Sequence, residues 1–81
     1  MDLETNQEID VIVTSEVLEV TNCIGIQNLG NTPIKMSLQE FAEGNSGYTL
    51  EKHDVFTFDE SKTLYLISPA QVVTIHLQGG E

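Results

Sequence analysis

Apolar and polar residues alternate in short runs along most of this chain. After a polar stretch at 1–8 that holds Asp2, Glu4 and Glu8 comes Ile9-Asp10-Val11-Ile12-Val13. Its β-branched residues fit a pleated surface better than a helix. Val17 to Thr21 follows, with Leu18 and Val20 on one face and Glu19 on the other. Asn22 reads as a bend, and Ile24 and Ile26 then share a face with Gly25 between them. Asn28-Leu29-Gly30-Asn31-Thr32-Pro33 is dense turn chemistry, because Asn and Gly tolerate positive φ. Ile34, Met36 and Leu38 point one way, Lys35 and Ser37 the other.

Ser37 and Glu40 have capping-box spacing, so a single helical turn through Phe41 and Ala42 competes with a strand running into a loop. Gly44-Asn45-Ser46-Gly47 reads as an exposed loop. Tyr48 to Leu50 and Val55 to Phe58 are short strands, the second with Phe56 and Phe58 on one face. Asp59 to Lys62 reads as a polar hairpin loop, Thr63 to Ile67 as a strand, and Ser68 to Gln71 as a turn with Pro at its second position. Val72 to Leu77 closes the pattern with Val73, Ile75 and Leu77 inward.

Turns recur about every 8–12 residues, the spacing of a sandwich or small barrel. No 3.6-residue period of helix length competes, and the connections are too short for parallel crossovers. The pattern therefore predicts an all-β fold, a small antiparallel β-sandwich or barrel of about seven to eight short strands. One domain is expected over 9–78, with a flexible acidic arm at 1–8 and a frayed end at 79–81.

Composition narrows the function. The chain has 81 residues, with 13 acids against 3 lysines and no arginine, for a net charge of −10. That field repels a polyanion, and Lys35, Lys52 and Lys62 are far apart, so no nucleic-acid binding is expected. The reverse idea is an acidic inhibitor that mimics DNA; six of the acids, however, fall within the first 19 residues rather than along one face. No run of about 18 apolar residues exists to span a membrane. The acidic start lacks a basic n-region, so no signal peptide is expected, and the single Cys23 suits a reducing compartment. A domain this small holds a thin core and gains from oligomerising or docking.

Reactive groups are sparse. Cys23, His53 and Asp54 could on paper form a nucleophilic site, but a small half-buried thiol and an exposed turn histidine is the plainer reading. No CxxC, HxxxH or EF-hand spacing points to a metal, and the Asp59–Glu60 pair reads as a solvated loop. The Gly-bearing turns lack the lysine and the strand–loop–helix context of a phosphate cradle. No cofactor and no enzymatic activity are expected. A carbohydrate-binding module would stack sugar on Tyr48 or Tyr65.

From Ile24 onward the chain has a recognisable rhythm. Ile24 to Gly30 and Pro33 to Met36 read as strand, Asn-x-Gly turn and strand. Gly47 to Phe58 places Leu50 before a polar turn and an apolar strand, and Thr63 to Pro69 leads to a terminal strand. Over 24–77 this resembles the small β-sandwich proteins of tailed bacteriophage virions, of the head-decoration, head-fibre and tail accessory type. The resemblance implies a non-enzymatic structural protein, made in the bacterial cytoplasm and carried on the virion. It implies a homo-oligomer, such as a trimer, that contacts capsid or tail subunits. Tyr65, Ile67, Val55 and Val72 are apolar residues on outer faces and are the expected interface.

Overall fold

A computed structural model describes residues 1–41, 47–69 and 71–80. Among them the chain forms β1 (Glu8–Val13), β2 (Leu18–Asn28), β3 (Ile34–Ser37), β4 (Tyr48–Leu50), β5 (Val55–Ile67) and β6 (Val73–Gly79). The strands pair antiparallel in one sheet of order β1-β6-β2-β5-β3-β4. The all-β antiparallel expectation holds. Among the described residues no helix is long and apolar enough to cross a membrane.

β6 shows how the sequence period becomes structure. Val73, Ile75 and Leu77 are buried, while Thr74 and Gln78 are exposed and His76 is half-buried. Across the ladder they meet Val13, Val11 and Ile9 of β1, so one apolar row forms from six residues of two strands. Each fully buried aliphatic side chain contributes about 1.5–3 kcal/mol of transfer free energy.

The long strands β2 and β5 join two halves of the sheet. The second half of β2 pairs with β6 and with the start of β5. Its first half pairs with the end of β5, which carries β3 and β4. Val13, Ile26, Val73, Ile75 and Leu77 from one half and Val20, Ile34, Met36, Leu64 and Leu66 from the other share one core. The shortest dimension of the Cα trace is 19 Å.

Six strands replace the expected seven or eight because two predicted turns are bends within continuous strands. Asn22 takes a left-handed φ of 59° and its side-chain amide donates to the Leu3 carbonyl, yet pairing resumes at Cys23. On β5, Cys23 faces Lys62 while Gly25 faces Thr57. Residues 58–61 are therefore accommodated as a bulge where a hairpin loop was expected. The same irregularity separates the isoleucines expected to share a face: Ile26 is buried, whereas Ile24 is half-buried and outside the core. β3 ends at Ser37, whose hydroxyl accepts from the Gln39 N–H, and Leu38, expected inward, is exposed. Glu40 and Phe41 take no helical turn; Ala42 and the expected loop up to Ser46 lie outside the described residues. So do Ala70 of the predicted turn and Glu81.

The segment read from the sequence as a flexible arm lies along β2. The Met1 ammonium donates to the Glu19 carbonyl, and the Thr21 and Leu3 amides donate to Met1 and Thr21 carbonyls. Leu3 is buried in the core. β6 covers β2 only from Cys23 onward, so these bonds occupy a strand edge that would otherwise present open backbone groups. Gly79 and Gly80, expected to fray, are buried and bonded to Gln7 and Asn22.

Candidate functional site

The structure places the four expected interface residues in three locations. Tyr65 and Ile67 lie two apart on the outer face of β5, alternating with buried Leu64 and Leu66. Val55 sits at the other end of β5 opposite Gln27 and is largely exposed. Val72 precedes β6, exposed beside Ser68 and Pro69. Thus Tyr65 and Ile67 form a pair, and Val55 and Val72 are separate exposed residues.

Tyr65 is the centre of a groove. In the ladder it faces Glu19 of β2 on one side and Ser37 of β3 on the other. Its hydroxyl is within hydrogen-bonding reach of the Glu19 carboxylate, which holds the phenol pKa above its usual value; partial desolvation and the charges of Glu19 and Glu40 push the same way. Val17, Glu19, Glu40, Phe41 and Tyr65 line a cavity of about 330 Å³. It is open to solvent on the Val17 side, where Val17 is 51% exposed. Two aromatic rings, one aliphatic side chain and two carboxylates thus surround one concavity. The sequence places Glu19 on the polar face of its strand, but its pairing with Tyr65 depends on a register across 46 positions. No local signal announces it.

A second charged group lies on the outer face of β1 and β6. His76 Nδ1 is 2.6 Å from Asp10 Oδ1, and Nε2 is 3.3 Å from Glu8 Oε1. Carboxylates only accept, so both contacts are made by the doubly protonated ring. The hydrogen bond to Asp10 raises the His76 pKa most, partial desolvation opposes it, and Glu8 adds to the rise. The arrangement clips edge strand β1 to β6.

Cys23, His53 and Asp54 are not brought together. Cys23 is fully buried between Lys62 and Gly79 of the neighbouring strands. Its Sγ contacts the Gly25 carbonyl at 3.1 Å, and burial pushes the thiol pKa up, the reverse of what a nucleophile needs. His53 is exposed in the β4–β5 turn at φ 64°, with its amide bonded to Asn28. Among the described residues no group of three His, Cys, Asp or Glu is placed to hold a metal ion. No family model, curated protein or solved structure matches the chain.

Proposed function

We propose that this protein is a structural component of a tailed-phage particle, a capsid-decoration or head/tail accessory protein that works through protein–protein contacts. One observation supports the contact reading: Tyr65 lies on an outer sheet face in a groove it shares with exposed Val17, Glu19 and Glu40, and Ile67 follows it on the same face of β5 opposite Lys35. Apolar centres with charged rims are what protein interfaces are made of. The sequence rhythm over 24–77 supplies the particle, and the small size supplies the reason for oligomerising, since a thin core gains from a partner surface. Many copies, each burying a modest patch, reinforce a lattice additively. Sedimentation velocity and cosedimentation with purified capsids test this reading. An oligomer that pellets with particles supports it; a strict monomer that ignores them overturns it.

Carbohydrate binding is favoured by a separate observation. Tyr48 on edge strand β4 is 61% exposed, as a sugar-stacking ring requires. A glycan array with no bound sugar, and tyrosine emission unmoved by oligosaccharides, would remove it.

A further inference from the structure

We propose that the groove formed by Val17, Glu19, Glu40, Phe41 and Tyr65 is a receptor for an arginine side chain presented by the partner protein. The inference rests on the protein-contact reading above and names the chemistry of that contact. The groove lining carries two carboxylates and no basic residue. The chain's own cations are engaged or placed elsewhere. Lys35 donates to Thr49 at 2.7 Å and Lys62 to Glu60 at 3.1 Å. Lys52 lies in the β4–β5 turn, and the Met1 ammonium is tied to a backbone carbonyl on β2. The chain contains no arginine.

The walls select the kind of cation. Phe41 and Tyr65 put two aromatic rings in the lining, and a cation over a ring and within about 6 Å of its centroid is attracted by its quadrupole. The groove is open to solvent and Val17 is exposed, so the attraction acts at contact range, where a cation seated on the rings lies close to the Glu19 carboxylate. A planar guanidinium can stack on a ring and still give a forked pair of hydrogen bonds to Glu19, whereas an ammonium is a strongly hydrated point charge. The Tyr65 hydroxyl already lies against Glu19, so one of the two aromatic walls and the main carboxylate are held in register before the ligand arrives. The cavity of about 330 Å³ admits one extended side chain rather than a folded segment.

The test uses the full-length chain and a blocked Gly-Arg-Gly tripeptide in about 0.15 M salt, where long-range attraction is screened. Backbone amide shifts are followed by NMR. Saturable shifts centred on Val17, Glu19, Phe41 and Tyr65 are expected, with Gly-Lys-Gly binding several-fold more weakly. Glu19→Gln should weaken the tripeptide about five- to tenfold, and Tyr65→Leu at least as much. Tyr65→Phe keeps the ring but frees Glu19 from the hydroxyl, so it should weaken binding by less than Tyr65→Leu does, and its unchanged circular-dichroism spectrum guards against loss of fold. The acid-removing pair Asp59→Asn and Glu60→Gln, on the β5 bulge, should leave affinity unchanged. Equal weakening by that pair, or shifts that avoid the groove, would overturn the proposal as diffuse charge attraction. Tripeptide binding in the groove by a protein that ignores capsids would keep this inference and sink the particle reading; capsid binding with a silent groove would do the reverse.

Discussion

Asn28 offers the sharpest test of how this sheet is held. It is fully buried at the end of β2. Its amide nitrogen donates to the Thr32 carbonyl at 2.9 Å and the Leu50 carbonyl at 3.1 Å, and its Oδ1 accepts from the Gly30 amide at 2.8 Å. Its backbone bonds to Asp54 and His53 in the next turn. One side chain therefore fastens β2, the β2–β3 connection and β4 together. Asn28→Ala removes three hydrogen bonds worth about 1 kcal/mol each, and strands polar backbone in a dry site at further cost. A loss of about 3 kcal/mol is expected, from a total of roughly 4–12 kcal/mol for a domain of this length. Circular dichroism should then show the melting temperature lower by about 12–24 °C. The urea midpoint should fall by about 1–3 M with the slope unchanged. Asn28→Asp keeps the acceptor for Gly30 but points a buried carboxylate at two carbonyl oxygens. Burial raises its folded pKa, so the variant should be at least as unstable at neutral pH and should recover in acid, where the protonated carboxyl donates again. A midpoint shift under about 0.5 M for Asn28→Ala would refute the reasoning.

Three further outcomes follow from the same packing. The folded pKa of His76 is raised above its ordinary value near 6.5, chiefly by Asp10. The stability this gives is fully present below that value and fades as pH rises through the folded pKa. Solvent screening limits it to about 0.2–1 kcal/mol; urea midpoints measured across this range should slope for the wild type and flatten for His76→Gln, and parallel profiles would remove the clip. At Gly79 an added Cβ would collide with the Glu4 carbonyl and press on Leu3. Gly79→Ala should cost about 1–3 kcal/mol and speed amide exchange at residues 3–7, so unchanged protection there would contradict the docked N-terminal segment. The Cys23 thiol, buried and shifted upward, should react with a disulfide reagent far more slowly in the native protein than in urea; equal rates would place it at the surface.

How much was legible beforehand divides along one line. Where a strand's partners lie on a single regular ladder, the period was sufficient: β6 buries Val73, Ile75 and Leu77 as the alternation predicts. The turn at Asn28–Pro33 was also visible, since its residue types favour it. Asn22 and Asp59–Lys62 carry equally good turn chemistry, yet they lie within unbroken strands, because β5 pairs with β2 on both sides of each irregularity. A polar residue that tolerates positive φ suits a bulge as well as a turn, and only the neighbouring strand chooses between them. For the same reason Ile24 left the face it was expected to share with Ile26.

The candidate site divides in the same way. Tyr65 and Ile67 were recognisable as apolar residues on an outward face, a property of their own strand. The groove needed Glu19 and Phe41 as well, and the His76 clip needed Asp10 from 66 positions away. Composition and alternation thus determined the strand class, the antiparallel pairing and much of the inner face, because side-chain period is local and residue type reports it. Tertiary structure decided the strand count, the strand order within one sheet, the berth of Leu3 and the convergence of aromatic and acidic groups around Tyr65. Those features are settled by registers between distant segments, whose energy resides in partners that no short window of sequence contains.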